Sequence, residues 1–351
     1  MNFASDNWAG ASERVMAALN TANDGFAAAY GADDLTRRVE ARFNDIFERD
    51  VAVFFVATGT AANALALSAA NRPGGAIFCH AEAHAAVDEC GAPEFFTGGA
   101  KLVGLHGPNG KITPDGLSQA LGAFHEGFVH HGQPQAVTIT QSSEIGTVYS
   151  VEEIRAVKAV AKTRDIPLHM DGARFANALV SLGVSPAEMT WKAGVDMLSF
   201  GGTKNGCWCA EAVVMFDPDK ATAMPWLRKR GAQLFSKSRF VAAQFDGYLA
   251  DGYWLDLARH SNAMAQTLAD AIEAIPHARL AARPQANELF AIVPKARIAA
   301  LRAAGGSFYE WPSEGLAPEQ RPAADEELIR LVTSFATRDE HIAGFAAVLA
   351  G

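Results

Sequence analysis

Cysteine is scarce in this chain of 351 residues: four are present, Cys79, Cys90, Cys207 and Cys209. They are too few and too scattered for a disulfide framework. Cys207 and Cys209 stand two apart, which is not the spacing of a zinc knuckle or a redox pair. Reduced thiols in a reducing compartment are expected. Long apolar runs are missing as well; Gly, Ser, Asn or charges interrupt each one before it reaches membrane-spanning length. The stretch MNFASDNWAGASERV carries no basic region followed by an apolar one, so no secretory signal is read there, and a cytoplasmic location is expected. Positive charge is in deficit, with 30 Lys and Arg against 39 Asp and Glu, a formal net charge of −9. That balance argues against nucleic acid or an anionic membrane as the main partner. An anionic ligand then needs a local positive site. Repeats and low-complexity segments are absent too.

What is present suits a globular protein with a sizeable core: 49% of residues are hydrophobic and 20% charged. The length exceeds what one core usually serves. A large domain over residues 1–240 and a smaller one over 241–351 are expected. In the first, short apolar runs alternate with helical patterns. VAVFFVA from Val51, GAIFCH ending at His80, AVTITQ from Ala136, IPLHMD ending at Asp171, VDMLSFG from Val195 and EAVVMF from Glu211 read as strands. Such alternation predicts a mostly parallel sheet covered by helices, with ligands beyond the carboxyl ends of its strands. From Trp226 the pattern is helical. The strands ELFAIV and LIRLVTSF and a closing helix near EHIAGFAAVLA then suggest a small α+β unit.

Four features carry chemistry. Gly59-Thr60-Ala61-Ala62-Asn63 follows a strand and opens a helix, where free N–H groups suit a phosphate. An ordinary strand-to-helix turn has the same look. Asp171-Gly172-Ala173-Arg174 ends a strand; a carboxylate there can hold a protonated ring nitrogen, and Arg174 can reach a carboxylate by charge-assisted bonds. A plain Asp–Arg ion pair is the competing explanation. Lys204 lies beyond a strand among glycines, in Ser199-Phe200-Gly201-Gly202-Thr203-Lys204-Asn205-Gly206, with room around its amine for covalent chemistry. The spacing of a Walker phosphate loop is absent, and Asn205 stands where its Ser or Thr would be. His84, in HAEAHAAVDECGA, can stack on a ring or act as a base near neutral pH. A metal pair of His80 with His84 lacks a third ligand, so no metal is expected.

These motifs together, with Ser5-Asp6-Asn7 at the start, resemble the low-specificity L-threonine aldolases. Those are fold-type I pyridoxal 5'-phosphate enzymes of the aspartate aminotransferase superfamily. The resemblance spans nearly the whole chain in the family's order. Stretches such as ECGAPEFF and TWKAGVDMLSFGGTKNG resemble the bacterial branch with phenylserine-type aldolases. It implies an α/β fold with a seven-stranded, mostly parallel sheet and a smaller C-terminal α+β domain. It implies that Lys204 anchors the cofactor covalently, Asp171 holds the ring nitrogen, His84 stacks on the ring, and Gly59 and Thr60 bind the phosphate. Arg174 would lie near cofactor and substrate carboxylate, with Ser5 and Arg330 on that carboxylate and Tyr30 near a neighbouring subunit's cofactor. Many relatives carry a second active-site histidine where Glu144 stands here, which leaves His84, Glu144 or a water as the base. The relatives' phosphate-binding arginine has no clear counterpart; Lys237 or Arg239 takes its place. The implied activity is cleavage of L-threonine, L-allo-threonine or related β-hydroxy-α-amino acids such as phenylserine to glycine and an aldehyde. The alternatives are a β-eliminating lyase, a hydroxymethyltransferase or a non-catalytic binding protein on the same fold. A homo-oligomer, a dimer of dimers with active sites between subunits, is implied as well.

Overall fold

A computed structural model describes residues 1–72, 74–313, 316 and 320–351. The strands β1 Ala52–Val56, β2 Gly75–His80, β3 Lys101–Leu105, β4 Gln133–Thr140, β5 Leu168–Gly172, β6 Met197–Gly201 and β7 Glu211–Met215 form one sheet. Their order is β1-β7-β6-β5-β4-β2-β3. β2, β3, β4, β5 and β6 are mutually parallel, and β7 runs antiparallel to both of its neighbours, β6 and β1. The sheet is therefore mostly parallel, as expected. β5, β6 and β7 are buried along their whole length; β6 and β7 read as mostly apolar runs, while β5 also buries His169 and Asp171. β3 is the exposed edge strand, and its mixed pattern hid it from the sequence.

An aromatic cluster seats helices on this sheet. Phe43 of the helix Asp34–Phe47 meets Phe200 of β6 edge-on, with ring centroids 5.2 Å apart, and Phe245 of the helix Arg239–Leu249 at 5.6 Å. Each such pair adds roughly 0.5–1.5 kcal/mol beyond its buried area. Phe245 and Tyr248 belong to this core, so its packing runs past residue 240, where the sequence placed the boundary. The same cluster steadies the turn that follows β6. Asn205 donates to Tyr248 Oη at 2.7 Å and to the Trp254 carbonyl at 2.8 Å. Gly201 and Gly202 leave no space for a side chain: a Cβ on Gly201 would lie 2.5 Å from the Ala173 carbonyl, and one on Gly202 2.7 Å from that of Ala210.

A second, antiparallel sheet has the order β10-β11-β9-β8. It is built from β8 Arg279–Ala282, β9 Glu288–Pro294, β10 Tyr309–Glu310 and β11 Glu326–Val332. The sequence showed β9 and β11 but not the short, exposed β8 and β10. The helices Tyr253–Glu273 and Asp339–Ala350 cover it. The chain start crosses between the two sheets. Phe3 is buried against Phe345 in the second core and pairs its backbone with Ser307 and Val332. Asp6, three residues on, is buried against Arg174, just beyond β5.

Candidate active site

The carboxyl ends of the parallel strands open on a cavity of about 300 Å3. Gly59, Thr60, His84, Glu144, Asp171, Arg174 and Lys204 all line it. At its floor the helix Gly59–Ala69 begins; Thr58 caps it by accepting the Ala61 N–H at 3.2 Å. The N–H groups of Gly59 and Thr60 are left for a ligand, as at any helix start. A Cβ on Gly59 would meet nothing within 4 Å, so the approach is open.

One turn into that helix, Asn63 ties two carboxylates together. Its amide donates to Asp171 Oδ2 and to Glu89 Oε1, each at 2.8 Å. Asp171 Oδ1 accepts the Ala173 N–H at 3.0 Å. Glu89 Oε1 also meets His84 Nδ1 at 2.9 Å. That hydrogen bond, aided by the charges of Asp171 and Glu144, raises the His84 pKa against the opposing effect of burial. Glu144 Oε1 accepts the His84 backbone N–H at 3.3 Å. Burial pushes the Glu144 carboxyl up, with Lys204 opposing it.

Lys204 sits in the turn after β6 and makes no hydrogen bond or ion pair with any described residue. Glu211 shares its cavity. Burial raises the Glu211 carboxyl to about 7 against the bond it accepts from the Thr203 N–H at 3.3 Å. Glu211 is there because β7 runs backwards: its first residue pairs with Gly201, the last of β6. The sequence showed a strand but not its direction, so this residue went unnoticed.

Arg174 is held on two sides. Its Nε and Nη2 donate to Asp6 at 2.8 and 3.2 Å, and Nη1 lies 3.4 Å from Glu288 Oε2. Burial opposes both charges, yet the pairing prevails: Asp6 is held below the usual carboxylate range and Arg174 above its ordinary value. Arg330 stands behind the lining and joins through the same glutamate, with Nε 3.4 Å from Glu288 Oε1. Other expected residues lie apart. Ser5 uses its hydroxyl to accept the Asn7 N–H, and Asn7, not Ser5, lines the cavity. Tyr30 is exposed, with Lys229 over its ring. Lys237 is exposed, and Arg239 reaches the Gly25 carbonyl; neither lines the cavity. Glu89 stands five residues after His84, a spacing that could have drawn notice. Glu288 comes from the second sheet and gave no local signal.

The family model for beta-eliminating lyases matches residues 2–296. A low-specificity L-threonine aldolase of Pseudomonas aeruginosa is 44% identical over 89% of this chain and 90% of its own. The chain belongs to this family. A second relative of the same description, from a Pseudomonas species, is 43% identical with the same coverage. The structure of a Leishmania major threonine aldolase superposes with a TM-score of 0.91 at 28% identity, covering 99% of this chain and 98% of that one. A Sphingomonas wittichii serine palmitoyltransferase matches with a TM-score of 0.70 at 16% identity, which shows the shared fold.

Members of this family are pyridoxal-phosphate-dependent lyases. The residues present fit that group. A helix start offers N–H donors to a phosphate, a buried carboxylate stands at a strand end for a ring nitrogen, and an unpaired amine faces them across the cavity. Two buried polar atoms, Asn63 Oδ1 and Glu89 Oε2, have no hydrogen-bond partner among the described residues. The described residues include no group able to hold a metal ion and no helix long and apolar enough to cross a membrane.

Proposed function

We propose that Lys204 anchors pyridoxal phosphate in this cavity and that the protein cleaves L-threonine, L-allo-threonine and related β-hydroxy-α-amino acids, phenylserine among them, to glycine and an aldehyde. The observation that carries this is the unpaired Lys204 amine in one cavity with Asp171 and the Gly59–Thr60 helix start. Pyridoxal phosphate, when bound, supplies an electron sink for the bond that breaks. Asp171 keeps the ring nitrogen protonated, His84 covers the ring, and the Gly59 and Thr60 N–H groups take the phosphate. Arg174 and Arg330 orient the substrate carboxylate, which sets the Cα–Cβ bond for cleavage.

Glu144 is the base in this scheme. His84 already has its Nδ1 committed to Glu89 Oε1 at 2.9 Å, which leaves it to cover the ring. Glu144 has one oxygen on the His84 N–H and faces the cavity with a carboxyl that burial has made more basic. It takes the proton from the β-hydroxyl, the Cα–Cβ bond breaks, the aldehyde leaves, and a proton returned to Cα gives glycine. Positioned general bases contribute about a hundred- to ten-thousand-fold in rate.

The lining carries only two permanent cations among the described residues, Lys204 and Arg174, and Arg174 is already compensated. This supports a further part of the proposal, that a neighbouring subunit completes the phosphate site in a homo-oligomer, a dimer of dimers; a cytoplasmic location is proposed alongside it. The decisive assay incubates the purified protein with each of the three amino acids and quantifies glycine and aldehyde without tetrahydrofolate. The wild type turns over and is yellow. Lys204→Ala loses both turnover and the absorbance of the lysine-bound cofactor. Pyruvate and ammonia in place of glycine would instead identify elimination.

A further inference from the structure

Glu288 is 1% exposed, yet neither of its carboxylate oxygens accepts a hydrogen bond from any described residue. It is a buried charge facing two guanidinium groups at 3.4 Å, Arg174 on one side and Arg330 on the other. The pairing has an unusual form. Arg174 spends Nε and Nη2 on Asp6, while its Nη1 makes no hydrogen bond. Arg330 spends Nη2 on the Ala4 carbonyl at 3.3 Å and lies over the ring of Trp311, while its Nε and Nη1 make none. Glu288 therefore neutralises charge without consuming the donors. With Asp6, it brings the two arginines to formal neutrality before any ligand arrives.

We propose that Glu288 is an internal counter-anion that sets how much negative charge the arginine pair accepts, and so selects substrates with one carboxylate over those with a second anionic group. A single α-carboxylate takes the unbonded Nη1 groups of Arg174 and Arg330, Arg330 Nε being buried against Glu288, and the pair becomes mildly overcompensated. A second acid on the substrate meets Glu288 with no cation left to offset it. Glu288 comes from β9 and Arg330 from β11 of the small sheet, while Arg174 follows β5 of the large one. The filter is thus assembled across the two sheets. It rests on the proposed use of the cavity for an amino-acid carboxylate.

The test is calorimetric titration of the holoenzyme with acetate, malonate and glycine. Carboxylate binding is read directly, so a protein that bound these ligands but left threonine intact would sink the cleavage scheme and spare this inference. In the wild type, malonate binds no more tightly than acetate. Glu288→Gln keeps the shape and removes the charge; it tightens acetate and glycine at least about fivefold and malonate more, since one charge a few ångströms away outweighs that factor even when well screened. Glu288→Asp keeps the charge and stays nearer the wild type. A merely structural role predicts weaker binding in both variants. Unchanged or weaker carboxylate binding in a folded Glu288→Gln overturns the proposal. If that variant does not fold, the wild-type comparison decides, and malonate binding more tightly than acetate overturns it.

Discussion

His169 and Asp171 stand two residues apart on β5 and so face the same side of the sheet, yet one is silent and the other lies at the centre of the cavity. His169 lies one layer deeper. Its Nδ1 meets Thr138 Oγ1 at 2.8 Å and its Nε2 meets Ser199 Oγ at 2.9 Å. Both nitrogens are spent, and burial lowers its pKa to about 4, so it stays neutral at ordinary pH. In the layer above, bonding is incomplete: among the described residues the Lys204 amine has no hydrogen-bond or ion-pair partner, and Asn63 Oδ1 and Glu89 Oε2 are buried without one. Burial alone does not make a group functional. Burial beside a cavity with bonding capacity to spare does.

The contrast can be broken from either layer. The largest effect is expected in the upper one: Glu144→Gln removes the proposed base and lowers kcat by about a hundred- to ten-thousand-fold, with the cofactor absorbance retained. Stopped-flow or steady-state aldehyde release would check this, and a variant within fivefold of wild type would return the role to His84 or a water. Glu211 is intermediate in effect. Burial favours its protonated form in the folded chain, so its contribution to stability is complete below its ordinary value of 4.5 and is lost as pH rises through about 7. Glu211→Gln should therefore be more stable than wild type at pH 8, by up to roughly 3 kcal/mol, with the difference vanishing near pH 4. Denaturant midpoints at the two pH values measure it. The smallest effect on catalysis belongs to the deeper layer. His169→Phe strands the Thr138 and Ser199 hydroxyls and costs about 1–3 kcal/mol, but should leave kcat within about twofold. A large loss of activity in a stable His169→Phe would erase the distinction between the layers.

How far the sequence revealed the site follows the same line. Lys204, Asp171 and the Gly59–Thr60 turn were legible because each lies where a strand gives way to a loop, and local pattern marks such places. Glu211 was not, because its position depends on the reversed direction of β7, which no local pattern encodes. Asp6 and Glu288 were out of reach for a different reason: they meet Arg174 only through long-range packing. Lys237 is the opposite case. The resemblance put Lys237 or Arg239 in place of the relatives' phosphate-binding arginine, and within one chain Lys237 is exposed and neither lines the cavity. The fold was the easier part, since buried strands advertise themselves by largely apolar runs and exposed edges such as β3 do not.

Gly59 and Asn63 are four residues apart on one face of one helix. The seat for an anionic tail and the grip on Asp171 are thus mounted on a single rod. A small rotation or slide of that rod would move the proposed phosphate seat and the Asn63 hydrogen bond together, while Asp171 itself stays anchored on β5. Fitting the protein to a longer or shorter vitamin analogue would therefore mean changing the spacing between this helix and β5, with Asn63 as the strut that resists it.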